Sequence, residues 1–150
     1  MTIRLLLRFL PACAALLVLA HPVAAQDFGL RAGASADPDQ FYFGVHADVG
    51  PLVEGLRFRP NLEIGVGSDL THVGANLEFT YPVRLDDSAW SFYPGVGPAL
   101  NVYSFNDNSE VEGGVNILLG LEHDDGLFVE FKVGALDSPD VKFGVGYTFR

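Results

Sequence analysis

Ten charged side chains recur at alternate positions of otherwise apolar segments: Arg31, Arg57, Arg59, Lys132 and Lys142, against Asp48, Glu63, Glu78, Glu112 and Glu130. Five cations and five carboxylates brought into one enclosed space can line a gated ion path, or they can pair off and seal it. A narrow cavity must pair any charge it buries, because an isolated ion out of water is too costly to hold. The charges are therefore expected to pair into a plug, with a gated ion path as the alternative. His46, His72 and His123 are the other groups able to do chemistry, but they fall in different segments without a serine or acid at motif spacing. Asn106-Asp107-Asn108-Ser109-Glu110 has the composition of a calcium loop without its length or its glycine, and reads as a solvated Asx turn. These residues point to no catalytic group, no metal site and no cofactor.

The elements that carry the charges are strands. From Phe28 onward the sequence alternates with period two, and no segment shows a helical period. The predicted strands are Phe28 to Ser35, Phe41 to Val49, Leu56 to Gly67, Val73 to Pro82, Trp90 to Tyr103, Val111 to Leu121, Leu127 to Leu136 and Val141 to Phe149. Between them lie short turns rich in Asp, Asn, Gly and Pro, among them Asp37-Pro38-Asp39, Gly50-Pro51 and the hairpin signal Asp124-Asp125-Gly126. Each strand is about ten residues, the length of a tilted crossing of a hydrocarbon layer. Connections this short demand an antiparallel meander, and pairing the first strand with the last would remove its open edges. Pro94 and Pro98 remove two ladder donors from one strand and predict a bulge there.

Ahead of the strands stands an export signal. Arg4 and Arg8 give a positive start, Phe9 to Ala20 is apolar, and Val23-Ala24-Ala25 offers the small residues of a cleavage site. Residues 1–25 are therefore expected to be removed, taking Cys13 with them, and residues 26–150 to form one domain without disulfides. The formal charge of the whole chain is −10, and it grows more negative once Arg4 and Arg8 leave. Such a surface argues against nucleic acid as a partner.

The two faces of the strands decide which way the barrel is turned. One face reads Phe41, Phe43, Val45, Ala47, Val49 in the second strand and Val141, Phe143, Val145, Tyr147, Phe149 in the last, and no charge interrupts it in any strand. The other carries the charges, the amides of Asn61, Asn76, Asn101 and Asn116, and thirteen of the seventeen glycines. A solvated strand face has no use for glycine, which weakens a strand and covers nothing. An eight-stranded barrel has an interior barely wide enough for side chains, so Arg and Glu there need glycine beside them. The polar face is thus expected inside and the apolar face against lipid, the inverse of a lipocalin-like soluble carrier. With the N-terminus on the periplasmic side, Phe28, Phe58, Phe79, Tyr81, Trp90, Phe92, Tyr147 and Phe149 fall near the periplasmic rim, and Phe41 and Phe43 near the other. Aromatic residues at both interfaces form the girdles of membrane barrels.

Pro60 to Gly67 (PNLEIGVG), Tyr93 to Val102 (YPGVGPALNV) and the alternating end Val141 to Phe149 make the whole of residues 26–150 resemble the small bacterial outer-membrane β-barrel proteins, the family of surface-antigen and opacity-type porins. The resemblance implies an all-β, eight-stranded antiparallel up-and-down transmembrane β-barrel in the outer membrane. It also implies outer-membrane lipid as surroundings, recognition of the last strand by the barrel assembly machinery, and a monomer. A structural or interaction role is expected, with a small channel as the alternative and a soluble carrier behind both. Arg150 after the terminal aromatic, and outer loops as short as the turns, depart from the family pattern. The acids Asp37, Asp39, Asp69, Asp107, Asp137 and Asp140 would cluster at the outer end, as solubilising tips or as bridges through divalent cations to lipopolysaccharide phosphates.

Overall fold

A computed structural model describes residues 26–68, 70–105 and 108–150. The proposed signal, Cys13, Asp69, Asn106 and Asp107 lie outside the described residues. Among the described residues nine strands follow one another: β1 (Gln26–Ala36), β2 (Gln40–Val53), β3 (Leu56–Val66), β4 (Thr71–Thr80), β5 (Val83–Arg84), β6 (Trp90–Phe105), β7 (Asn108–His123), β8 (Leu127–Leu136) and β9 (Val141–Phe149). All but the two-residue β5 belong to the wall, so the wall has eight strands. Each pairs antiparallel with its neighbour, β4 pairs with β6, and β1 pairs with β9 from Phe28↔Phe149 to Ala36↔Val141. That last ladder closes the cylinder and leaves no full-length edge, which an antiparallel meander of apolar strands requires.

The turns follow local chemistry. Gly126 takes φ +107° and donates its N–H to the His123 carbonyl at 2.9 Å, while the Asp125 carboxylate accepts from Leu127 N at 3.1 Å. Gly55, at φ +80°, closes the turn where Val53 faces Leu56. This turn differs from the expected one. β2 runs on through Gly50-Pro51, and its register slips between Val49↔Phe58 and Val53↔Leu56. Pro51 has no donor for the ladder, so it is accommodated where pairing is already broken.

The bulge predicted at Pro94 and Pro98 does not form. β6 holds one register against β7 from Trp90↔His123 to Phe105↔Asn108, and one against β4 from Thr71↔Ser104 to Thr80↔Gly95. Pairing with β4 lapses between Asn76↔Ala99 and Phe79↔Val96 without a slip. A proline's fixed φ fits an extended chain, so it forfeits a hydrogen bond without needing an extra residue.

The faces are inverted relative to a water-soluble barrel. Arg59, Glu63 and Glu78 are fully buried, whereas Phe41 is 72 % exposed and Phe43 65 %. Leu30, Ile64, Val96, Ile117, Val145 and Phe143 extend the exposed apolar surface round the wall. An apolar surface this continuous is not held in water, and marks contact with lipid.

Candidate functional site

The charges inside the wall form two joined clusters. At the end where Gln26 and Arg150 lie, the termini side of the described chain, β2 contributes Asp48, β3 contributes Arg57 and Arg59, and β7 contributes Glu122. Arg59 grips Asp48 through both Nε and Nη2, the latter at 2.9 Å, and also donates to Glu122 at 3.1 Å. Arg57 donates to the other Glu122 oxygen at 2.8 Å and lies 3.6 Å from Asp48. Further along the axis, Arg31 of β1 donates to Glu63 and Glu130, each at 3.2 Å. Lys132 of β8 reaches Glu78 at 2.5 Å and both Glu63 and Glu130 at 3.2 Å, and Lys142 of β9 closes on Glu63. Charge-assisted bonds of this kind compensate the desolvation of ions that no water reaches.

Amides and a phenol extend the network. Asn116 donates to Asn76 at 2.8 Å, Asn76 to Asn61 at 2.7 Å, and Asn61 to Glu78 at 2.7 Å. The Tyr93 hydroxyl donates to Glu130 at 3.0 Å. Chains of polarised hydrogen bonds reinforce one another where water is excluded. Five cations thus meet five carboxylates, but the set differs from the predicted one. Glu112 sits half-buried near the far mouth and takes no part in these ion pairs, and Glu122 holds the place expected for it. The predicted sixth strand stopped at Leu121, one residue short. Strand alternation continued past that point would have put Glu122 on the Glu112 face.

Sequence reasoning also missed the interior rings. The guanidinium carbon of Arg59 lies 5.0 Å from the centre of Tyr93 and 5.3 Å from that of Phe128, while that of Arg31 lies 5.5 Å from Phe128. Lys142 sits 4.4 Å from the Tyr42 ring. Cation–π contacts of this sort gain when desolvated. The signal was present as parity, because Tyr42 alternates in step with His46 and Asp48. The rings also correct the role given to glycine. A Cβ at Gly120 would overlap the Tyr93 ring, and one at Gly146 would overlap Phe128, so the bare positions there chiefly admit aromatic rings.

Gly120→Ala is accordingly expected to destabilise the barrel by about 1–3 kcal/mol, read from urea unfolding in lipid vesicles. Adding Tyr93→Ala to it should cost less than the two single changes together. Strictly additive costs would show that the ring and the glycine are not matched.

The mouth far from the termini is covered from within. Asn101 donates to the Asp137 carbonyl at 2.9 Å and to Ser138 Oγ at 3.3 Å, and Ser138 and Pro139 are buried. His72 bonds Asn101 at 2.9 Å and stacks on Tyr103. His46 bonds Thr148 at 3.0 Å, and His123 lies at the same, termini-side end beside Asp125. The three histidines therefore share no site. Among the described residues, no group of His, Cys, Asp or Glu is arranged to hold a metal. At the termini-side rim, Arg84 makes a two-bond pair with Asp124 at 2.6 and 3.0 Å, which holds that carboxyl below the usual range.

The outward aromatics concentrate at the strand ends. Phe58 and Phe79 pack at 5.1 Å and Tyr147 and Phe149 at 5.3 Å, close to Phe28, Tyr81, Trp90 and Phe92 on the termini side. Phe41 and Phe43 lie towards the other end, joined by Phe143, while Phe131 stands between the two groups. Trp90 packs edge-on to His123, 5.0 Å between centres, half exposed at the rim. Reconstituted with lipids brominated at known depths, its fluorescence should be quenched most by bromines near the headgroup. Strongest quenching from the bilayer centre would move the whole belt, and none at any depth would deny that this face meets lipid.

No protein-family model and no curated protein matches the sequence. Among solved structures, the barrel is similar to Neisserial surface protein A, with a TM-score of 0.66 and 13 % identity over 83 % of this chain and 94 % of that one. It is similar to the N-terminal β-barrel domain of Pseudomonas aeruginosa OprF, with a TM-score of 0.57 and 13 % identity over 83 % and 96 %. The outer membrane enzyme PagL follows, with a TM-score of 0.54 and 12 % identity over 84 % and 99 %. Fold and interior together define a small eight-stranded β-barrel of the outer-membrane type, its lumen filled by polar and charged side chains. That fold serves an enzyme as well as proteins not described as enzymes, so it does not by itself assign chemistry.

Proposed function

We propose that this chain is a non-enzymatic, monomeric barrel of the bacterial outer membrane with a structural or interaction role, closed to solutes. One observation carries the reading: Arg59, Tyr93, Phe128, Lys132, Glu63 and Glu78 meet across the lumen with almost no surface left to water. A conducting lumen would leave such groups wet. Residues 1–25 act as the cleaved export signal in this reading, so the mature chain begins at Gln26. The termini face the periplasm, the Val141–Phe149 strand is presented to the barrel assembly machinery, and no cofactor is needed.

Unheated protein should migrate faster than boiled protein in a cold detergent gel, because a closed barrel resists the detergent until its ladder melts. The same preparation in planar bilayers should pass no steady current. Equal migration would deny closure, and a stable open current would favour the channel. The channel reading has one observation of its own. Arg31 Nε and Nη2, Arg57 Nε and Arg59 Nη1 are buried without a hydrogen-bond partner among the described residues, and water entering the lumen would satisfy them.

A further inference from the structure

The wall is not of even height. β7 pairs with β6 along its whole length, but its pairing with β8 begins only at Gly114↔Leu136. Six residues, Asn108 to Gly113, therefore stand beyond β8 with one side of their backbone unpaired by any strand among the described residues. They span roughly 20 Å of extended chain at the end away from the termini. The following loop does not shield them. Leu136 adopts φ +63°, which turns the chain off the β7 line, and Asp137 to Pro139 go inward to cover the mouth against Asn101 and Tyr103. A left-handed leucine is an uncommon conformation for a bulky residue, and here it separates the wall from its cap.

The edge has a chemical pattern. On its inward side, Glu110 stands opposite Tyr103 and Glu112 opposite Asn101, with Asp137 beside them. On its outward side Val111 is exposed and Gly113 has open space around it, while Leu136, opposite Gly114, lies 80 % exposed at the foot of the edge. The Ser104–Ser109 contact at 3.1 Å ties the hairpin together below its tip. A second copy of this chain fits poorly, since antiparallel self-pairing sets glutamates against glutamates.

We propose that the β7 edge from Asn108 to Gly113 takes an extended cationic segment of another protein as an added strand. Alternate basic residues of that segment face Glu110 and Glu112, and the intervening apolar residues lie against Val111. The backbone ladder supplies affinity and the alternation supplies selectivity. The inference rests on the reading of the chain as a closed membrane barrel, and it gives the interaction role an address.

The test uses the full chain refolded in an uncharged detergent, with closure first verified by the heat-dependent gel shift so that failure of the barrel is not mistaken for failure of the site. The probe is a short synthetic peptide alternating lysine and valine, and its control is the same peptide N-methylated at every amide. The unmodified peptide should bind and slow hydrogen exchange at the backbone amides of Ser109 to Gly113, and the methylated one should not bind. Reversing both charges, Glu110→Lys with Glu112→Lys, should weaken binding roughly tenfold while leaving the gel shift intact. Equal binding of the methylated peptide would reduce the site to charge attraction and overturn the proposal. So would absence of binding, protection confined to other strands, or protection of Ser109 to Gly113 without peptide in a self-associated protein.

Discussion

Glu63→Ala is expected to be the most damaging single truncation inside the barrel. Glu63 is fully buried and receives Arg31, Lys132 and Lys142 from β1, β8 and β9, so one carboxylate joins three strands that lie far from it in sequence. Its loss leaves Lys142 without its one ion-pair partner among the described residues and three cations crowded where water cannot reach. Breaking a buried pair from one side typically costs about 3–5 kcal/mol, because a charge is left uncompensated. Urea unfolding in vesicles, followed by Trp90 fluorescence and by the gel shift, should show that loss. Glu63→Gln should also be destabilised, since it keeps the volume and loses the charge. Adding Lys142→Met to Glu63→Gln should recover part of the deficit, because it removes the orphaned cation. Unchanged stability in both Glu63 variants, together with unchanged bilayer conductance, would show that the network neither holds nor seals the barrel.

Val145→Arg tests the opposite face. Val145 lies midway along β9, between Ala32 of β1 and Val129 of β8, and points outward. An arginine on the lipid face costs about 2–4 kcal/mol at the bilayer midplane and about 0–1 near the interfaces. Val145→Arg should therefore lower the unfolding free energy in vesicles markedly, and Phe149→Arg, at the strand end, should lower it far less through its charge. In a barrel bathed by water an outward arginine at position 145 would be nearly neutral. A neutral Val145→Arg, or equal losses at both depths, would contradict the placement of the apolar belt.

The alternation in the sequence by itself determined the architecture. Side chains of a strand alternate with period two whatever the strand pairs with, so the runs Phe41 to Val49 and Val141 to Phe149 declare their apolar faces locally. Glycine and charge collected on the opposite face, and turn residues separated the runs. Eight antiparallel wall strands and their inverted orientation follow from these signals. The tertiary structure alone decided which charges meet. Arg31 and Glu130 are 99 residues apart, and Arg57 and Glu122 are 65 apart. They touch only because closure at β1 and β9 and the register of every intervening ladder bring them to one level. The same closure made Glu122 a partner and left Glu112 near the mouth, while the β6–β7 ladder set Tyr93 beside Gly120. The bulge in β2, and the uncovered edge of β7, likewise depend on how far each neighbouring strand extends. Local periodicity assigns a residue to a face. Its partner across the lumen depends on the sum of eight registers, which no segment encodes alone.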